Sequence, residues 1–137
     1  MSGKEISNQL LRKAKDRFVV HEHQARRAGL HWDIRVEKDG VLKSFATKKF
    51  PEFVSGERRM ILLFEQPDHS VDWLDFEGRI EDEYGMGEIK IIDSGKSKVR
   101  FWSDDKRIIA FDGKKLNGVF GLIRYDKNSF LLLKMKK

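Results

Sequence analysis

The sequence predicts an all-β, mainly antiparallel fold: a compact β-barrel preceded by a short N-terminal helix. Three observations predict it. From Phe18 onward apolar residues recur with a period of two in nine short runs. Turn chemistry separates those runs, at Asp39-Gly40, Asp93-Ser94-Gly95, Asp112-Gly113, Asn117-Gly118 and Asp126-Lys127-Asn128. Helical spacing occurs only near the N-terminus. Many short strands joined by tight turns, with almost no helix, mean an antiparallel barrel or sandwich.

Taken in order, "KEISNQLLRKAKDR" places Ile6, Leu10 and Leu11 on one helical face, so residues 1–16 read as an N-terminal helical segment. Residues 17–137 then read as the barrel. Its strands are "FVVHEH", "LHWDIRVE", "VLKSFATK", "RMILLFE", "GEIKIID", "KVRFW", "RIIAFD", "GVFGLIRY" and "SFLLLKM". Asp39-Gly40, between two alternating runs, is the clearest hairpin turn. Pro51 and Pro67 both fall in segments read as loops. The longest irregular piece runs from Gln66 to Tyr84, and loops of that length in a compact β domain are often functional. Without a repeat, linker or low-complexity tract, residues 1–137 read as a single domain.

Composition narrows the chemistry. A chain of 137 residues can build a core without staples. It has no cysteine, which excludes disulfides, thiolate metal sites and cysteine nucleophiles. Any metal site must use His, Asp, Glu or backbone oxygen. The net charge of +6 favours polyanions, nucleic acid first, although 22 acidic residues dilute that signal. No apolar run approaches the ~18 residues of a membrane span. "MSGKEISNQL" lacks an apolar export core, so a cytoplasmic protein is expected.

The most informative stretch is "HEHQARRAGLHWDIR", residues 21–35, which holds three of the four histidines with Asp33 and three arginines. Strand alternation puts His21 and His23 on one face. It likewise groups His31, Asp33 and Arg35, and turns Trp32, Ile34 and Val36 to the other face. A hairpin through the polar loop 24–29 would join both groups in one patch. Histidines and a carboxylate on one face are the ingredients of a divalent metal site; the plainer reading is polar residues on a solvated face. Arg35 adds nothing to a structural metal site, because like charges repel. It makes sense if an anion bridges metal and guanidinium, and phosphate is such an anion. The plainer alternative is an Arg35–Asp33 pair. Two other metal motifs compete. A cupin would want a glutamate soon after "HEH", where Arg27 stands four residues after His23. "HWD" with a further His fits the two-histidine, one-carboxylate set of non-haem iron oxygenases, but the basic charge is then unexplained.

The ordered motifs "FVVHEHQARRAGLHWDIRVEKDGVLKSFATKK", "DHSVDWLDFEG", "YGMGEIKIID" and "LNGVFGLIR" with "LLLK" resemble the 3′-phosphoesterase domain family of bacterial DNA ligase D, over nearly the whole chain from Phe18. The chain ends without a polymerase or ligase module, so it resembles the free-standing archaeal and bacterial members. The resemblance implies a β-barrel nuclease of non-homologous end joining that heals DNA 3′ ends. Its members use manganese or a similar ion such as Zn2+ or Co2+. They remove a 3′-terminal ribonucleoside and then the 3′-phosphate, leaving a 3′-OH.

Carried over by motif, His23, His31 and Asp33 match the metal ligands. Arg35 and His69 match the catalytic pair on the phosphate. Lys49 and Arg59 match further phosphate-binding residues. The implied partners are DNA or DNA/RNA 3′ ends, with a ligase or repair polymerase; a nucleoid-associated monomer is expected. The chain also departs from the family. Two extra residues around Ala28-Gly29 lengthen the first hairpin loop. His21 stands where a glutamine is frequent, as an accessory ligand or hydrogen-bonding group. Trp73 replaces a functional tyrosine, and Gln66-Pro67 forms a small insertion before His69.

The residues fit that chemistry on their own terms. Phosphoester cleavage needs a Lewis acid, cations on the non-bridging oxygens and a proton donor for the leaving group. His69 can supply the proton, since histidine titrates near neutral pH. Trp32 and Trp102 are expected in packing, whereas Trp73, on the long loop, could stack on a terminal base. The alternative function is a non-catalytic nucleic-acid-binding barrel of a repair complex, and a third is an iron oxygenase.

Overall fold

The computed structural model describes residues 16–81 and 87–136. The expected N-terminal helix falls almost wholly in residues 1–15, outside the described residues. The elements are β1 (Arg17–Ala25), β2 (Gly29–Lys38), β3 (Val41–Thr47), a short helix α1 (Phe50–Val54), β4 (Met60–Ser70), a 3-10 turn (Val71–Asp75), β5 (Gly78–Ile80), β6 (Gly87–Trp102), β7 (Lys106–Asp112), β8 (Asn117–Asp126) and β9 (Ser129–Lys134). The strands form one antiparallel sheet in the order β1-β2-β3-β4-β9-β8-β7-β6-β5, and β1 also pairs with β6. Strand bonding therefore runs in a ring, and β1 is hydrogen-bonded on both edges.

Alternation divides the hairpin as expected. Phe18 and Val20 of β1, and Trp32, Ile34 and Val36 of β2, join a large core with Phe45, Leu63, Ile109, Phe120 and Phe130. Fully burying each such side chain is worth about 1.5–3 kcal/mol. The opposite face carries the polar residues, plus a small apolar cluster of Val19, Leu42 and Leu74 under the 3-10 turn. Asp39 and Gly40 have φ of 54° and 81°, the paired positive values of a tight hairpin turn.

Three expectations are corrected. "GEIKIID" and "KVRFW" are one strand, β6, and Asp93-Ser94-Gly95 is not a turn. The buried Asp93 carboxylate accepts from the backbone N–H groups of Ser94, Lys114, Lys115 and Leu116, so it serves the β7–β8 connection. At Gly95 a Cβ would lie 2.2 Å from the Asp112 carbonyl oxygen; glycine permits close backbone approach here. Pro51 lies in the first turn of α1, a position proline tolerates.

The third correction concerns Gln66 to Tyr84, which is not one loop. β4 runs on to Ser70, whose side chain accepts from Asp72 N–H and caps the 3-10 turn. Pro67 is accommodated inside β4 by a bulge. Leu42 pairs with His69 but Ser44 pairs with Gln66, so Pro67 and Asp68 together face Lys43. The extra residue shifts the alternation and brings His69 onto the face that Gln66 occupies.

Candidate metal and anion site

The site is built on the polar face of β1 to β4. His23 pairs directly with His31, and His21 with Asp33, across β1 and β2. One ligand atom from each of His23, His31 and Asp33 falls within 4.8 Å of the others. Asp33 Oδ2 lies 3.4 Å from His31 Nε2 and 3.7 Å from His23 Nδ1. A small contraction would bring these atoms to one divalent ion, whose nitrogen and oxygen ligands sit at about 2.0–2.2 Å. His31 Nδ1–H donates to the Gly29 carbonyl over 3.3 Å, which turns Nε2 toward the carboxylate. A ligating histidine is oriented in the same way by its second nitrogen. Two imidazoles and one carboxylate suit manganese, cobalt, zinc or iron.

Charge supports the cluster. Burial opposes ionisation of Asp33, but hydrogen bonds from His23 and His31, with the Arg35 guanidinium, hold its pKa well below the usual carboxylate range. The hydrogen bond to Asp33 raises the His31 pKa in turn. A proton on His31 and a metal ion therefore compete for the same lone pair.

Arg35 is 4% exposed and spans the centre of the site. Its Nε donates to His21 Nδ1 over 3.2 Å, its Nη1 to Ser44 Oγ over 3.0 Å, and its Nη2 to Asp33 Oδ2 over 3.4 Å. A guanidinium has five N–H donors. Among the described residues these contacts use three, leaving one N–H on each Nη, the end of the fork that suits an oxyanion.

His21 is fully buried and fixed by two partners. Its Nε2–H donates to the Phe76 carbonyl, so Nδ1 is the acceptor for Arg35. Burial and then Arg35 lower its pKa to about 4. The ring is thus neutral near pH 7 and is engaged with the 3-10 segment and Arg35.

His69 Nδ1–H donates to the Pro67 carbonyl over 2.9 Å, with Ser44 Oγ at 3.4 Å, which leaves Nε2 for a second proton. Burial and then Arg35 lower the His69 pKa. Trp73 packs edge-on against His69, with ring centres 5.2 Å apart, and lies 5.3 Å from the Arg35 guanidinium. These residues line a cavity of about 540 Å³ together with Ala46, Lys48, Phe64, Gln66 and Pro67.

Seven of the nine site residues are brought together: His21, His23, His31, Asp33, Arg35, His69 and Trp73. Lys49 and Arg59 are not. Lys49 is exposed at the N-cap of α1, and Arg59 is exposed ahead of β4; neither lines the cavity. Lys48 does, because it lies two and four residues beyond Ala46 and Ser44 on the alternating face. Motif position pointed to the second lysine of the pair, where strand parity would have chosen the first. Ser44 and Phe64 were also missed. Ser44 is marked by its even offset from Ala46, whereas an isolated phenylalanine in an apolar run carries no signal.

The family described as the DNA Ligase D 3′-phosphoesterase domain matches residues 21–124. The Multifunctional non-homologous end joining protein LigD of Mycolicibacterium smegmatis is 37% identical over 133 residues, covering 88% of this chain and 17% of that protein. The protein of the same name from Pseudomonas aeruginosa is 39% identical over 119 residues, 79% of this chain and 13% of that protein. The Multifunctional non-homologous end joining DNA repair protein LigD of Mycobacterium tuberculosis is 36% identical over 125 residues, 87% of this chain and 16% of that protein. The chain thus spans about a sixth or less of the length of these relatives.

Proposed function

The chain belongs to the DNA ligase D 3′-phosphoesterase domain family, and on that premise we propose that it is a metal-dependent phosphoesterase that restores 3′-OH ends on DNA. We read the ring of strands as a closed barrel that holds the site rigid. The observation that carries the function is one cavity wall shared by the His23, His31 and Asp33 cluster with Arg35 and His69. A cation site beside a buried, pre-oriented guanidinium suits a ligand with several anionic oxygens.

A divalent ion held by His23, His31 and Asp33 would supply Lewis-acid polarisation of the phosphoryl group. We assign manganese, with zinc or cobalt as substitutes, because the donor set accepts each. The two remaining Arg35 N–H groups hold non-bridging oxygens of the terminal phosphate. His21 and Ser44 keep the fork from rotating. His69 passes the proton on Nε2 to the departing 3′-oxygen as the phosphorus–oxygen bond breaks. In the free protein burial and then Arg35 disfavour the charged ring; a phosphate in the cavity opposes that bias, because its negative charge favours imidazolium. Water supplies the oxygen that replaces the 3′-oxygen, and the products are inorganic phosphate and a 3′-OH end.

DNA or DNA/RNA 3′ ends are the substrates, a 3′-terminal ribonucleoside is a second leaving group, and a ligase or repair polymerase takes up the product end. Among the described residues no helix is long and apolar enough to cross a membrane. The test is a primer-template ending in a 3′-phosphate, incubated with the protein and manganese. Release of phosphate with a new extendable 3′-OH is expected. Binding of the primer without phosphate release would favour a non-catalytic end-binding domain.

A further inference from the structure

Three cross-strand pairs line up in one row on the polar face: His21 with Asp33, Asp33 with Ala46, and Ala46 with Phe64. Phe64 therefore stands two strands from Asp33, about 10 Å away at the usual strand spacing. Ala46 between them is the smallest side chain of the row, so the floor from the metal cluster to Phe64 is low. Phe64 is 46% exposed and lines the same cavity as Asp33 and Arg35. A large aromatic ring left half in water, on the wall of the cavity that Arg35 lines, is an apolar surface that no partner among the described residues covers.

Resting on the phosphoesterase reading, we propose that Phe64 is the stacking platform for the nucleobase of the 3′-terminal nucleotide. With the terminal phosphate at Arg35 and the metal cluster, the sugar crosses above Ala46. The base then reaches Phe64, a span comparable to that of one nucleoside from its 3′-phosphate to its base. Stacking on an aromatic ring tolerates every base, because each has a π-face. The subsite thus gives affinity for a terminal nucleotide without reading its sequence. Trp73 lies against His69 at the phosphate end of the cavity, so the two aromatic side chains serve different parts of the substrate.

The test uses a primer whose terminal nucleotide is 2-aminopurine bearing a 3′-phosphate, since this base loses emission when it stacks. Binding is followed without metal, and phosphate release is followed separately with manganese. Wild type should quench the emission. Phe64→Ala should abolish the quench and weaken binding by about 10- to 100-fold, the loss expected for one base–aromatic stack. Phe64→Trp should restore both, and an abasic terminus should bind wild type and Phe64→Ala alike. Thermal unfolding of each variant checks the fold. Equal quenching in wild type and Phe64→Ala, or none in wild type, overturns the proposal. Loss of the quench in Phe64→Ala with no phosphate release from wild type would sink the phosphoesterase reading and leave the base subsite standing.

Discussion

Arg35 donates from Nε to Nδ1 of His21 across 3.2 Å, inside a site where both side chains are buried. His21 can accept only while neutral. The pair therefore fixes a tautomer and the plane of a guanidinium at once, and several measurable consequences follow from that geometry.

Arg35→Lys should be a damaging change despite its unchanged charge. A lysine ammonium cannot satisfy His21, Ser44 and Asp33 while presenting two further parallel donors. Loss of a preorganised contact to developing charge costs about 2.7–4 kcal/mol, a factor of 10² to 10³ in rate, by analogy with one oxyanion donor. Phosphate release at saturating manganese should fall by that factor while manganese affinity changes little. Near-normal turnover would reduce Arg35 to a packing residue; loss of metal binding would recast it as a brace for Asp33.

Asp33→Ala and His31→Ala should fold but fail to hold manganese, because three protein ligands become two. Calorimetric titration measures this directly. Unchanged affinity in both variants would remove the assigned cluster.

Acid should destabilise the metal-free protein partly through His21. Its pKa falls from 6.5 to about 4 on folding, because burial, then Arg35, disfavour the charged ring. Between those values the unfolded chain binds a proton that the folded chain refuses. This contribution is therefore complete above pH 6.5 and is lost progressively as pH falls toward 4. Between pH 7 and pH 5 it amounts to about 2 kcal/mol. His31, whose pKa is raised, acts with the opposite sign, and its stabilisation is lost as pH rises. Comparing urea midpoints of wild type and His21→Gln at pH 7 and pH 5 isolates the His21 part. An identical acid sensitivity in the two proteins would contradict it.

Trp73 has no hydroxyl to offer at a position where the resemblance to the ligase D domain implies a functional tyrosine. The protein should therefore favour a 3′-phosphate over a 3′-ribonucleoside terminus, and Trp73→Tyr should narrow the difference. Rates on matched primers decide it; faster nucleoside removal by wild type would mean that the hydroxyl is dispensable.

Much of the β1–β2 hairpin was legible, because a period of two assigns each residue to a face without further information. The metal cluster follows from that period once His23 pairs with His31. His69 was reachable only through motif order, since the bulge at Pro67 and Asp68 breaks the alternation that would have placed it. Asp93-Ser94-Gly95 misled for a different reason. Turn residues announce hydrogen bonding and close backbone approach, and here both serve the neighbouring β7–β8 connection. Lys48 and Lys49 differ only in parity, which adjacent identical residues do not reveal until the strand's end is known. The ring itself depends on β1 meeting β6, pairing Phe18 with Gly95, and no local pattern encodes that.

Because packing and site residues interleave through β1 and β2, the hairpin has a reading frame of two. A one-residue slip of β2 against its neighbours would deliver His31 and Asp33 into the core and turn Trp32 and Ile34 outward. Length changes at the hairpin tip are harmless where the turn absorbs them and leaves the His23–His31 pairing in place. Ala28 and Gly29 lie at that tip, where β1 turns into β2. The tip can thus vary in length and reshape the cavity's rim at Ala28, while the face that carries His23, His31, Asp33 and Arg35 stays in frame.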